Sequence, residues 1–391
     1  MKYFGYYADE KKQNSVNCTL AAINKMYYIS TRIVDIDGKA EIISAVSPLE
    51  GDQAAEIYEL NQGINIRYFK ASASPNKVIN VIKRTFNSIR LFSWAYKNIK
   101  QGETVVVYHS LGYMNLFKLL KKLKKFSLIL EVEEIYADVL DNQKLREIEL
   151  QFMALADAYI FPTELLSKVV NKERKPEVII HGAYNIEMPV DNIVKVNASD
   201  QKHILYAGTF DSKKGGVYAA INAVKYLPEN YYMHILGFGT EDDIHKVEQL
   251  IEEVNYESVA KISYDGLKSG EDYVRFLQSC DVGLSTQNPN ASFNDTSFPS
   301  KILSYFANGL KVVSVRIPVV ETSKIGDLVF YYDEQNPIAI ANAIIEACET
   351  EISEDVRNRI NKLDANFTAD LKMLVNRIER KKESLNGTLE N

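Results

Sequence analysis

The sequence predicts an α/β protein made of two doubly wound domains in tandem, and three observations carry that reading. Short strand-like segments rich in β-branched and aromatic residues alternate with helix-like segments in both halves of the chain. The alternation breaks at the polar stretch 190–200 (VDNIVKVNASD) and then restarts. The composition is that of a soluble globular chain long enough for two cores: 391 residues, 46% hydrophobic and 25% charged.

In order, MKYFGYY, EIISAV, INIRYF, TVVVYH, LILEV, AYIFP and EVIIHG read as strands of the first domain. Residues 15–29, 76–100, 112–125 and 142–156 read as its helices. After the break, HILYAG, YYMHILG, KISYDG, DVGLST, KVVSV and LVFYYD read as strands. The helices between and after them are GVYAAINAVKYL, DDIHKVEQLIEEV, EDYVRFLQSC, PSKILSYFAN and PIAIANAIIEAC. The expected division is a first domain at 1–190, a linker at 191–200 and a second domain at 201–352. A charged helix at 353–382 that packs back on the first domain follows, and a loose tail at 383–391.

Three cysteines, Cys18, Cys280 and Cys348, form no short metal-type pair. They predict a reducing compartment rather than a disulfide framework or a zinc site. No apolar run reaches the roughly 18 residues of a membrane span, and the N-terminus MKYFGYYADEKK lacks the apolar stretch of a signal peptide. A cytoplasmic protein is expected. The net charge of −6 argues against a nucleic-acid binder, but the charge is unevenly spread. Residues 76–125 hold eleven Lys/Arg and one acid, Glu103, so this window carries +10 and the remainder −16. Within it lie two basic amphipathic segments, 82–100 and 116–125. The second offers Lys118, Lys121, Lys122, Lys124 and Lys125 to an anionic membrane surface. Peripheral attachment to the cytoplasmic face is the expectation.

Ligands of doubly wound sheets bind outside the carboxyl ends of the strands, and the motifs of the second half fall there. YAGTFDSKKGG (206–216) joins a strand to a helix and brings Gly208, Thr209, Lys214 and Gly215 to a helix N-terminus, a place that favours an anion. NDTSFPSKILSYFANG (294–309) does the same, with Ser297 as expected N-cap, Ser300 and Lys301 in the first turn and Gly309 after the last. Lysines there oppose the helix dipole unless a phosphate is bound. Two such starts in one domain suggest a diphosphate. Gly237-Phe238-Gly239 is a tight strand–helix turn, not a complete dinucleotide fingerprint.

This ordered set resembles the nucleotide-sugar domain of GT-B fold glycosyltransferases, most closely glycosyltransferase family 4. The corresponding residues are Gly208-Thr209, Lys214-Gly215, the Gly237–Gly239 turn, Gly266 of Tyr264-Asp265-Gly266, and Pro299-Ser300-Lys301 leading to Ala307-Asn308-Gly309. The resemblance spans about 130 residues and implies two Rossmann-like domains facing a cleft. It implies transfer of a hexose from a nucleotide diphosphate sugar, UDP-linked, with retention and without a metal or other cofactor. The implied acceptor is a glycan or lipid-linked saccharide of cell-surface polysaccharide or glycoconjugate synthesis, bound by the first domain. Two positions depart from the pattern: the usual arginine is Thr209, and the usual pair of glutamates falls on Thr296 and Ser304.

In the first half the resemblance is one of rhythm. Glu133 and Glu134, after the strand LILEV, and His109, after VVVY, are the candidate catalytic groups at strand ends. His181 of HGAYN lies in a similar position. The competing expectations are a non-catalytic binding partner of an active glycosyltransferase, a nucleotide-sugar epimerase and, more weakly, a nucleic-acid binder. Oligomeric state is left open.

Overall fold

Strands β1 (Lys2–Gly5), β2 (Ala40–Ser44), β3 (Gly51–Gln53), β4 (Glu56–Asn61), β5 (Ile64–Tyr68), β6 (Ala71–Ala73), β7 (Thr104–Tyr108), β8 (Ser127–Glu131), β9 (Ala158–Phe161) and β10 (Glu177–Ile179) belong to the first of two units. Its helices are α1 (Leu20–Asp37), α2 (Lys77–Asn98), α3 (Met114–Leu123), α4 (Tyr136–Val139), α5 (Gln143–Met153) and α6 (Glu164–Val170). A computed structural model describes residues 1–391 except 17, 191–199, 211–214, 292, 293, 295, 352–354 and 388–391; for 14 and 382–387 it describes the backbone alone. The first unit comprises Met1–Ala183 and Ala365–Asn391, the second Tyr184–Asp364.

The eight-stranded sheet of the first unit runs β10-β9-β8-β7-β1-β2-β5-β4. Its neighbours are parallel except for the antiparallel pair β4·β5. Valines, isoleucines and leucines fill β7 and β8 because both faces of a parallel sheet are covered; Val105, Val106, Val107, Leu128, Ile129 and Leu130 are all buried. The helix expected over 15–29 instead starts at Leu20 and runs to Asp37. Before it, the chain makes one short 3-10 turn at Gln13–Ser15, and Val16, extended, bridges to Pro48, so the α-helix cannot begin there. Strands β3, β4 and β6 are additions to the expected pattern.

The second unit holds β11 (Lys202–Thr209), β12 (Tyr231–Phe238), β13 (Lys261–Tyr264), β14 (Val282–Ser285), β15 (Lys311–Val315) and β16 (Val329–Tyr332). Between and after these lie α7 (Gly216–Ala223), α8 (Glu241–Glu257), α9 (Gly270–Gln278), α10 (Lys301–Ala307), α11 (Pro318–Glu321), α12 (Pro337–Glu349) and α13 (Val356–Gly387). The sheet is entirely parallel, in the order β13-β12-β11-β14-β15-β16. Counted within the unit this is 3-2-1-4-5-6, the doubly wound order whose strand sequence reverses between β11 and β14. Helix α13 begins in the second unit and continues into the first, where Phe367 stacks on Tyr28 of α1 with ring centroids 5.8 Å apart.

Candidate functional site

The reversal point of the second sheet gathers the residues that the sequence placed in separate motifs. Strand β11 ends at Gly208-Thr209, and α10 brings Lys301 back to the same place. The Lys301 ammonium stands 4.2 Å from the centre of the Tyr206 ring. It lies so close over Gly208 that a Cβ there would come within 2.9 Å of Nζ. Just after the neighbouring strand β14, Thr286 donates its hydroxyl to the Gly216 carbonyl at 2.7 Å, which fixes the start of α7 against the β14 loop. A side chain at Gly216 would meet the Thr286 carbonyl at 2.6 Å. Gly215, at the N-cap of α7, has φ 63°, a left-handed conformation that glycine adopts without steric cost.

The electrostatics differ from one helix start to the next. Helix α8 satisfies its own N-terminus: Thr240 and Asp243 form a capping box, and Glu241, Asp242 and Asp243 occupy the first turn. Helix α9 starts with Glu271 and Asp272. Helices α7 and α10, which flank the reversal point, have no acid in the first turn and no side-chain cap. Negative charge is already supplied at the starts of α8 and α9 and is missing at those of α7 and α10, where Lys301 stands. The expected N-cap at Ser297 is corrected: α10 begins at Lys301 with Ser300 at the cap position, and neither serine caps it. Gly309 does follow the helix in the left-handed conformation, φ 82°. Lys214 lies outside the described residues.

The loops after β11, β12 and β13 are stitched together. Phe210 donates its backbone N–H to Phe238 at 2.8 Å, Gly237 donates to Gly266 at 3.1 Å, and the Tyr264 hydroxyl reaches the Gly237 carbonyl at 3.1 Å. Gly237 is obligatory in this arrangement. A Cβ would lie 1.9 Å from the Gly208 carbonyl oxygen, and its φ is 153°. Gly239 packs against Phe210 and Asp243 in the turn, and Gly266 turns with φ 76°. Ser304, on the second turn of α10, hydrogen-bonds with Tyr273, an interaction that works against the burial-driven rise of the tyrosine's pKa. Thr209 is exposed at the end of β11.

In the first unit the expected catalytic groups have different fates. His109 is 1% exposed. Its Nε2 lies 2.7 Å from Glu149 Oε1, and its ring stacks on Phe152. The Glu149 carboxylate also accepts the backbone N–H groups of Tyr136 and Ala137, both at 2.9 Å, and so caps α4. His109 is therefore corrected from a catalytic to a structural residue: it supports a buried carboxylate that closes a helix start. His181 is likewise buried, with Nδ1 2.7 Å from the Pro162 carbonyl.

Glu133 remains accessible, its side chain about one quarter exposed. Lys25, buried on α1, holds it at 2.5 Å and also donates to the Ile180 carbonyl at 3.1 Å. Beneath it, Glu131 is fully buried and accepts the Tyr3 hydroxyl. Burial, and then the nearby Glu133 charge, push the Glu131 carboxyl well above the ordinary range. Alternation along the strand places Glu131 and Glu133 together, and only the outer one is available. Glu134 follows in the loop before α4. The sequence did not single out Lys25 or Glu149; neither carries a motif, and each acts through partners far along the chain.

The lysines of segment 116–125 are partly engaged. Lys121 pairs with Asp157 at 2.8 Å, Lys124 donates to the Tyr96 and Ile99 carbonyls at the end of α2, and Lys118 reaches the Ile148 carbonyl at 3.4 Å. Lys122 and Lys125 are exposed. Three of the five lysines of segment 116–125 thus make contacts within the fold.

Residues 201–350 match a family profile described as glycosyl transferases group 1. No protein of curated function matches the chain. Among solved structures, the fold resembles an E. coli structure described as trehalose-6-phosphate bound with UDP-2-fluoro glucose (TM-score 0.69, 11% identity, covering 97% of this chain and 99% of that one). It also resembles a sucrose-phosphate synthase from Thermosynechococcus elongatus (TM-score 0.65, 12% identity, 99% and 98%). A third is a UDP-forming alpha,alpha-trehalose-phosphate synthase from Burkholderia xenovorans in complex with glucose-6-phosphate (TM-score 0.62, 11% identity, 97% and 98%). The chain has the GT-B fold of these glycosyltransferases: an α/β architecture of two Rossmann-like units.

Proposed function

We propose that the protein is a glycosyltransferase that transfers a hexose from a UDP-linked donor to a glycan or lipid-linked acceptor. One observation carries the reading: Lys301, Gly208 and the bare start of α7 converge at the reversal point of a 3-2-1-4-5-6 sheet, within the segment that matches the group 1 profile. The diphosphate leaving group gathers negative charge as the glycosidic bond breaks. A fixed ammonium beside two unneutralised helix starts stabilises that charge more in the transition state than in the ground state. Lys214 adds a second cation in this reading, so the chain's own residues do the neutralising and no metal is called for. Gly237, Gly239 and Gly266 keep the adjoining loops low enough for the donor to lie across them. The UDP-2-fluoro glucose bound in the E. coli neighbour supports a UDP-linked donor.

The first unit supplies the acceptor side. Glu133, oriented by Lys25, is the carboxylate offered to an acceptor hydroxyl, with Glu134 next to it. Retention of configuration is favoured, the departing phosphate helping to take the acceptor proton. The assignment to glycosyltransferase family 4 and a role in cell-surface polysaccharide or glycoconjugate synthesis belong to the same proposal. The neighbour bound to glucose-6-phosphate makes phosphosugars the first acceptors to compare with glycans.

A second reading is favoured by Thr209 and Ser304. An arginine and a carboxylate are missing from the family pattern at these positions, and Ser304 is occupied by Tyr273. In that reading the chain is a non-catalytic partner of an active glycosyltransferase. Thermal unfolding with a panel of nucleoside diphosphates and nucleotide sugars, in EDTA, separates the two. A ligand at 100 times its dissociation constant stabilises by about 2.7 kcal/mol, a shift on the order of 5–10 °C. A shift with UDP and a larger one with a UDP-sugar is the expected result. Absence of any shift would favour the partner reading.

A further inference from the structure

Helix α2 is amphipathic in the reverse sense. Over its first four turns the side that meets the protein is polar. Asn80 accepts the Ser74 N–H at 3.3 Å, Lys83 donates to the Ala73 carbonyl at 3.0 Å, and Asn87 donates to the Ser72 carbonyl at 3.2 Å. These positions recur every three or four residues, and their side chains anchor the helix to the backbone of β6 and the residue after it. The opposite face is apolar and exposed: Val78, Val81, Ile82, Phe86 and Ile89 are between 52% and 71% accessible. Only in the second half does the helix bury carbon, through Leu91 and Ala95. Trp94 there faces inward, in edge contact with Phe69 and Phe4.

An apolar stripe of this kind is costly to leave in water, and it runs on the order of 17 Å along the helix axis. Its flanks say what covers it. Lys77 and Arg84 border one side, Arg90 and Lys97 the other, and α2 contains no acid. A protein partner is compatible with apolar carbon alone. A carbon stripe edged on both sides by cations, in a window of net charge +10, complements acyl chains beneath anionic headgroups. We propose that α2 is a membrane-docking helix that lies in the interface of an anionic bilayer with Val78, Ile82, Phe86 and Ile89 inserted. No helix among the described residues is long and apolar enough to cross a membrane, so the mode is one of lying on the surface. The inference does not depend on the glycosyltransferase reading.

Sedimentation of the full chain with vesicles tests it. The parent should partition onto vesicles of phosphatidylcholine with about one third phosphatidylglycerol, and at least tenfold less onto phosphatidylcholine alone. The triple variant Ile82→Ser, Phe86→Ser, Ile89→Ser should lose about tenfold or more of the binding while keeping its unfolding temperature, since these side chains touch no core. Arg84→Glu with Arg90→Glu should lose it too, and salt should weaken the parent. Phe86→Trp in a Trp94→Phe background should be quenched by brominated lipid, whereas the parent's inward Trp94 should not. The proposal is overturned if the parent ignores anionic vesicles, if the triple variant binds as well as the parent, or if light scattering shows a dimer that the triple variant abolishes. The last result would assign the stripe to a second copy of the chain.

Discussion

The strand ends of the two units sit on sheets of similar strand order, yet they carry opposite chemistry. In the second unit, the loops beside the reversal point hold glycines, a lysine and helix starts without acids. In the first, carboxylates at or beside the corresponding ends of β7 and β8 are already tied: buried Glu149 of α5 to His109 and the start of α4, buried Glu131 to Tyr3, and the partly exposed Glu133 to Lys25. The topology provides a place for a ligand in both. Side-chain chemistry suits one place to an anion, while the other is largely consumed by the fold and leaves Glu133 and Glu134 partly accessible.

Removing a tied carboxylate should give the largest effect. Glu149→Ala strands His109 and two backbone N–H groups in the core, and should destabilise the first unit by about 3–5 kcal/mol. Chemical denaturation would show it, with nucleotide binding retained by the second unit. If the loss stayed near zero, the first unit's network would not be structural. Next in size, Gly237→Ala forces a Cβ into the Gly208 carbonyl at a φ that side chains avoid. A cost of about 2–4 kcal/mol and loss of UDP binding are expected together. Lys301→Ala should leave unfolding almost unchanged and weaken UDP about tenfold to a hundredfold by calorimetry, the range of a lost charged hydrogen bond. Equal affinity in parent and variant would remove Lys301 from the site.

The smallest effect is a pH dependence. Glu131 binds its proton more tightly in the folded protein than in the unfolded chain. Its contribution to stability is thus fully present below the ordinary glutamate pKa and is lost as pH rises towards the folded value. Glu131→Gln keeps a neutral acceptor for the Tyr3 hydroxyl. It should unfold at a higher temperature than the parent at pH 8 and at the same temperature at pH 4. A variant less stable than the parent at pH 8 would contradict a raised Glu131 pKa.

Much of the fold was legible because parallel strands buried on both faces read as apolar runs, and glycines mark the turns that follow them. The short strands escaped for the converse reason. β4 (EIYELN) is mostly exposed, so polar residues interrupt its apolar positions. The late start of α1 was hidden because Val16 makes a long-range bridge to Pro48 that no local pattern announces. In the site, the topological rule for strand ends brought Gly208 and Lys301 together although they lie far apart in the chain. His109 looked like a free histidine because its partner, Glu149, lies forty residues on and inside a helix. Segment 82–100 was visibly amphipathic, but periodicity alone does not say which face meets the protein. In α2 it is the polar one.

Hydrogen exchange of the parent with and without UDP tests the central claim most directly. Slower exchange confined to the backbone at Gly208–Val217 and Ser297–Leu303, and absent in Lys301→Ala, is the expected result. Protection located instead in the first unit, or unchanged exchange at saturating UDP, would contradict a nucleotide site at the reversal point of the second sheet.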